Sequence, residues 1–213
     1  MPPTTQVNDQ PIAAGFFGEG NWLTTFITPN ALTVQNLYKE ITQGIDNQHD
    51  RLIALWHWVA SLKYTKFVKA KMWVDGHSSV QQDYWAPPSI TAKVRVGNCA
   101  TKSFLLASLL RNELPVEKVH CVLGNLYQPG DKGGHAWIEL QPNGESYVME
   151  STRADMKPMV PASAADIYES VVYFNDEEVS FIEGRTVVEP FTAVYIEWLK
   201  DYLDWTYIAG GGQ

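Results

Sequence analysis

The sequence predicts one α+β domain in which a central helix packs on an antiparallel sheet. Two amphipathic stretches come first, a strongly apolar helix follows at residues 100–111, and alternating apolar segments fill the region after residue 119. The chain has 213 residues, of which 45% are hydrophobic, so it holds enough apolar material for one sizeable core.

The opening helices are indicated by apolar residues at helical spacing. Residues 1–30 are rich in glycine, proline and polar residues, which predicts an irregular arm that packs onto a single domain at 31–213. The two helical patterns are Leu37, Ile41 and Ile45, then Leu52, Leu55, Trp56, Val59 and Leu62.

Residues 65–96 fit neither a helical nor a strand period well, so we interpret them as a long surface excursion. After residue 119, alternation predicts strands that include Val119–Leu123 and Ala136–Leu140. The turn Pro142-Asn143-Gly144 leads into a strand at 146–152. The C-terminal part, 165–207, is predicted to add one or two strands and a closing helix.

Composition restricts the partners that we expect. The net charge of −8 makes nucleic acid an unlikely partner, and no stretch approaches a membrane span. Two cysteines give no disulfide framework, which together with the lack of a visible signal peptide predicts a cytoplasmic protein. The five histidines match no metal-binding spacing, and no Gly-rich phosphate loop occurs, so we expect neither metal nor cofactor.

Cys99 directly precedes the apolar helix, which places its thiol at a helix N-terminus. A thiol reacts as its thiolate, and the positive end of a helix or an imidazolium favours that form. Gly97 lets the chain turn tightly before the helix. A cysteine without partners is more often a small buried apolar residue, so the functional interpretation depends on neighbouring residues.

His135 opens a strand after two glycines, and the turn at Asn143-Gly144 sets which residues face it. That turn pairs Trp137 with Glu150 and His135 with Thr152, so Glu150 becomes the diagonal neighbour of His135 on the same face. A carboxylate there would hold the tautomer of the imidazole and stabilise its cation. Asp155 is the alternative, and Glu139 and Glu145 lie too far along the sheet.

Three segments resemble the core motifs of the transglutaminase-like superfamily. They are Val96-Gly97-Asn98-Cys99-Ala100-Thr101-Lys102-Ser103, His135-Ala136-Trp137-Ile138-Glu139 and Val148-Met149-Glu150-Ser151-Thr152, within a likeness that covers residues 46–155. The resemblance implies a papain-like fold with Cys99, His135 and Glu150 as a triad, although the family more often has aspartate at the position of Glu150.

The resemblance also implies an oxyanion donor upstream of the cysteine. Trp85 is our candidate, with Gln81 or Gln82 behind it, and the alternative for Trp85 is a ring in the core or the cleft wall. Asn98 is a further cleft candidate that we expect to shape the turn before Cys99.

The leading hypothesis is a cysteine-dependent acyl-transfer enzyme, a hydrolase or peptidase that acts on peptide or protein substrates. Transamidation, as in protein cross-linking or deamidation, is one alternative, because the sequence does not show whether water or an amine resolves the intermediate. A non-catalytic protein-binding domain that keeps the fold is the other.

Overall fold

The computed structural model describes residues 22–65, 68–74, 77–81, 85–129, 131–187 and 206–209. The predictions for residues 1–21, for Gln82 and for most of the closing helix lie outside these ranges. The described end of the N-terminal arm contains a short 3-10 helix, Trp22–Phe26, and buries Leu23, Phe26 and Ile27 in the core. Residues 22–27 of the predicted arm therefore pack onto the core.

Two amphipathic helices open the fold, as predicted. Helix α1 spans Leu32–Thr42 and helix α2 spans Gln48–Ala60, where the Asn47 side chain accepts from the His49 N–H and caps the first turn. Leu52, Leu55, Trp56 and Val59 form the buried face of α2. None of the helices in the described ranges is long and apolar enough to span a membrane.

The excursion predicted for residues 65–96 is wrong, because this region contains regular structure. Strand β1 (Lys63–Tyr64) precedes it, and β2 (Val68–Val74) and β3 (His77–Gln81) form an antiparallel hairpin with β11 (Thr206–Ala209) beside β2. The missed signal is the alternation of apolar residues in β2, followed in sequence by Asp75-Gly76, a dipeptide typical of hairpin turns.

Helix α3 (Pro88–Val94) completes this region. Proline is favoured in the first helical turn, where its missing N–H has no acceptor to lose. Arg95 ends the helix in the left-handed conformation, with φ 57°, and strand β4 (Val96–Gly97) then pairs in parallel with β1. The short β4 delivers the chain to the next helix.

Helix α4 (Cys99–Leu110) is the predicted central helix. Every residue from Ala100 to Leu110 is buried, as expected for a helix that is apolar all round. A capping box fixes its start: the Asn98 side chain accepts from the Thr101 N–H, and the Thr101 hydroxyl accepts from the Asn98 N–H. The capping box therefore fixes the residue at which the helix begins, and with it the position of Cys99.

The antiparallel sheet has six strands in the order β10-β9-β5-β6-β7-β8. Their bounds are β5 Val119–Gln128, β6 Asp131–Leu140, β7 Tyr147–Met149, β8 Val160–Pro161, β9 Tyr168–Phe174 and β10 Val179–Phe181. Strands β9 and β10 confirm the one or two strands predicted for Tyr168–Glu183.

The predicted hairpin register is confirmed for the residues that pair. Ile138 lies opposite Met149 and Leu140 opposite Tyr147, which is the register set by the turn at Asn143-Gly144. The ladder ends at Met149, so Glu150 lies one residue beyond the strand and is not itself paired.

Lys102 is a buried charged residue on α4. Its side chain is fully buried, and its Nζ donates to the carbonyls of Ala60 and Leu62, each at 3.0 Å, at the end of α2. Burial lowers the pKa of Lys102 to about 8, although the charge of Glu150 opposes this shift. The ammonium thus ties α4 to α2.

We expect Lys102→Ala to lower the free energy of unfolding by about 2 kcal/mol, because two buried carbonyls lose a charged donor and a cavity opens. Lys102→Met, which keeps most of the volume, should lose less. Urea denaturation measures both, with exposed Lys157→Ala as the control. A Lys102→Ala variant as stable as Lys157→Ala would contradict this role.

Candidate active site

Cys99 is the first residue of α4 and is partly exposed. The N–H groups in the first turn of a helix have no intrahelical acceptor, and the helix end carries a partial positive charge. A Cβ at Gly97 would collide with the Thr101 Oγ1 that takes part in the capping box. Glycine at this position therefore lets the cap form and presents the thiol at the helix end.

His135 lies on β6, opposite Gly124 of β5. Its Nε2 lies 2.9 Å from Oε2 of Glu150, and the Cys99 side chain is near enough to contribute to the raised pKa of His135. The three residues that the sequence selected are thus brought together with the imidazole in the middle.

The Glu150 carboxylate has four hydrogen-bonding contacts. Oε1 accepts from the backbone N–H of Thr152 at 2.8 Å and from its hydroxyl at 2.6 Å. Oε2 faces His135 Nε2 and also accepts from the Tyr168 hydroxyl at 2.9 Å. The carbonyl of Glu150 accepts from Trp56 Nε1 at 2.7 Å, so backbone and side chain are both fixed.

These contacts determine the charge state of the site. Burial works against the charge of His135, but its contacts with Cys99 and Glu150 outweigh burial and raise the pKa of His135 to about 10. Burial likewise opposes ionisation of Glu150, yet His135 and Thr152 lower the pKa of Glu150 to about 2. The structure therefore favours an imidazolium and a carboxylate at neutral pH.

Aromatic rings surround the imidazole. The fully buried Trp137 ring stacks on His135 with 6.2 Å between centroids, and Tyr168 meets Trp137 edge-on at 5.0 Å. Alternation places Trp137 on the His135 face from sequence alone, whereas the contribution of Tyr168 was missed. Such rings lower the local polarity and strengthen the ion pair beside them.

The other predicted site residues have different positions. The Trp85 side chain is fully buried and packs edge-on against Phe26 and Phe104, so the core-ring interpretation is favoured over an oxyanion donor in an open cleft. Asn98 is 4% exposed and serves as the cap of α4, which agrees with a turn-shaping role and not with a cleft contact.

The alternative carboxylates are occupied elsewhere. Glu139 accepts from the hydroxyls of Ser170 and Tyr173, and Asp155 forms an exposed ion pair with Arg153. Neither contacts His135. Among the described residues, no group of three or more His, Cys, Asp or Glu side chains is arranged to hold a metal ion.

Comparison with known proteins supplies structural likeness only. Neither a protein-family model nor a curated protein matches the sequence. Among solved structures, LapG from Legionella pneumophila aligns with a TM-score of 0.52 and 17% identity, covering 71% of this chain and 77% of LapG. Its calcium-bound form gives 0.53 and 16%, covering 79% and 86%.

The likeness shows a shared fold. At 16–17% identity, the likeness to LapG extends to the fold alone. The predicted class, α+β with helices packed against an antiparallel sheet, is confirmed.

Gly124 makes room for the Trp137 ring beside His135. A Cβ at Gly124 would collide with the Glu169 carbonyl and would lie 2.6 Å from Trp137 Cη2. We expect Gly124→Ala to destabilise the fold by about 2 kcal/mol, because backbone must move to admit the methyl group. Urea denaturation measures the loss. Gly133→Ala is the matched control, since a Cβ there meets nothing within 4 Å; equal stability of the two variants would contradict the steric argument.

We expect the free energy of unfolding of the wild-type protein to exceed that of Glu150→Gln by the largest amount between about pH 4.5 and 6.5. The raised pKa of His135 contributes stability that is complete below its ordinary value of 6.5 and lost as pH rises through about 10. The lowered pKa of Glu150 contributes stability that is complete above 4.5 and lost as pH falls through about 2. Urea denaturation from about pH 2 to about pH 10 measures the difference in free energy of unfolding. A difference that does not vary with pH would contradict a native ion pair.

Proposed function

We propose that this protein is a cysteine-dependent hydrolase that cleaves peptide or amide bonds through a thioacyl intermediate. The observation that carries the proposal is the position of His135, which interacts with Cys99 and with the Glu150 carboxylate at 2.9 Å. A catalytic triad has this arrangement, in which a base lies between a nucleophile and a carboxylate that orients the base.

In the proposed first step, the Cys99 thiolate attacks the carbonyl carbon of the substrate. The carbonyl oxygen becomes an oxyanion near the start of α4, where the backbone N–H of Cys99 supplies a donor. The tetrahedral intermediate collapses as the C–N bond breaks, and the imidazolium of His135 transfers its proton to the leaving amine. The products are a thioester on Cys99 and a free amine.

In the second step, neutral His135 takes a proton from water while the water oxygen attacks the thioester. The C–S bond breaks, a carboxylic acid leaves, and the thiolate and imidazolium return. Glu150 stays ionised throughout, since four contacts stabilise its charge, and it stabilises the imidazolium without accepting a proton.

Two considerations support a catalytic role over the alternative of a binding domain. All three triad positions carry competent groups, and Cys99 and Glu150 both act on the imidazole of His135, which a binding domain that keeps only the fold would not need. The shared fold with LapG, a periplasmic cysteine protease, is compatible with a peptidase. Transamidation uses the same first step, and no described contact favours an amine over water in the second.

The decisive experiment is alkylation by iodoacetamide as a function of pH, read separately at each cysteine by peptide mass spectrometry. We expect Cys99 to react rapidly well below pH 8, since an imidazolium favours its thiolate, and to lose this reactivity about 10²-fold in His135→Ala. Peptidase activity on a mixed peptide library should disappear in Cys99→Ala.

Cys121 provides an internal control in the same chain. It is fully buried, and burial together with the charge of Cys99 raises the pKa of Cys121 well above its ordinary value. We therefore expect it to remain unlabelled. The expected lack of a metal or cofactor predicts that EDTA leaves the labelling unchanged. A Cys99 that is as slow as Cys121 and indifferent to His135 would contradict the proposal and favour the binding domain.

A further inference from the structure

The Tyr168 hydroxyl reaches the centre of the site from a strand that carries none of the triad. It donates to Oε2 of Glu150 at 2.9 Å, the same oxygen that lies 2.9 Å from His135 Nε2. The carboxylate oxygen that orients the imidazole is therefore itself fixed by a second donor.

The ring of Tyr168 is held as well as its hydroxyl. The half-buried side chain meets Trp137 edge-on at 5.0 Å and lies 6.4 Å from the imidazole, at 37° to it. Two ring contacts and one hydrogen bond thus determine the direction of the hydroxyl. A tyrosine held in this way restrains the carboxylate that it contacts.

A β-bulge brings Tyr168 to this side of the sheet. Strand β9 pairs Val172 with Leu123 but Ser170 with Gly124, so Val171 is an extra residue. As a result Tyr168 and Tyr173, five residues apart, both lie on the face that carries His135. In a regular strand, residues separated by an odd number point to opposite faces.

We propose that Tyr168 is a positioning residue that holds the Glu150 carboxylate against His135 and so sustains the thiolate–imidazolium pair. This inference rests on the proposed function. Oε1 is already fixed by Thr152, and Tyr168 fixes the second oxygen, so rotation of the carboxylate away from Nε2 is opposed at both ends. Without Tyr168, the only hydrogen-bonding partner left to Oε2 among the described residues would be the imidazole of His135.

The titratable groups around the carboxylate come from four segments. His135 lies on β6, Tyr168 on β9 and Lys102 on α4, and Arg153 follows Glu150 in the chain. Burial and the charge of Glu150 raise the pKa of Tyr168, so its hydroxyl remains a donor over the working range.

The test compares Tyr168→Phe with Tyr173→Phe. Tyr173 lies on the same strand and face, is equally half-buried, and also donates to a carboxylate, that of Glu139, so it controls for loss of a buried hydroxyl. Both variants keep their rings. The measurement is the pH profile of iodoacetamide labelling at Cys99, together with urea denaturation of each variant.

We expect Tyr168→Phe to slow labelling at pH 6 about tenfold and to move the rising limb up by about one pH unit, because a loosened carboxylate no longer holds the imidazolium close to the Cys99 thiol. Tyr173→Phe should keep the wild-type profile. A profile of Tyr168→Phe that is unchanged, moved to lower pH, or matched by Tyr173→Phe would overturn the inference while leaving the proposed function intact. A wild-type Cys99 without any low-pH reactivity would overturn both.

Discussion

The buried Glu150 carboxylate is the constraint around which the site is built. Removing a charge from water costs several kcal/mol unless hydrogen bonds and an opposite charge replace the solvent. Here the replacement comes from His135 on β6, Tyr168 on β9 and Thr152 in the following loop. Strands β6 and β9 are not neighbours, because β5 lies between them. Gly124 occupies β5 at this point, and the lack of a side chain there leaves space for the Trp137 ring between the donors.

Helix α2 contacts both the helix that begins at Cys99 and the segment that carries Glu150. Trp56 donates to the carbonyl of Glu150, and the carbonyls at the end of the same helix accept from Lys102 on α4. A third link, between the hydroxyls of Ser103 and Ser151 at 2.8 Å, joins α4 to the Glu150 segment directly. These buried contacts hold α4 and the residues after β7 in one arrangement. The apolar core could tolerate small shifts between these elements, whereas hydrogen bonds of this length cannot.

Sequence reasoning succeeds here where short-range rules determine geometry. The start of α4 follows from Asn98 and the apolar run after it, and the tight turn at Asn143-Gly144 fixes the register that brings Glu150 near His135. It fails where one residue changes the outcome. The bulge at Val171 places Tyr168 on the face opposite to the one that a regular strand would give it, and no residue type in β9 predicts the bulge. The hairpin of β2 and β3 is not predicted, although apolar residues alternate in β2, because the Trp, Gly and Pro residues scattered through 65–96 obscure both the helical and the strand period. Trp85 illustrates a further limit, since an aromatic residue suits a core and a cleft equally well.

The two cysteines show how position separates chemistry within one protein. Cys121 lies in β5 with its side chain in the core, where burial is the main reason that its pKa is raised. Cys99 lies at the start of α4, partly exposed and beside an imidazole that a carboxylate keeps protonated. Negative charge on Cys99 adds to the raised pKa of Cys121, so ionisation of the first thiol suppresses ionisation of the second. The two thiols therefore differ first in burial and then in neighbouring charge, and both differences act against a thiolate at Cys121.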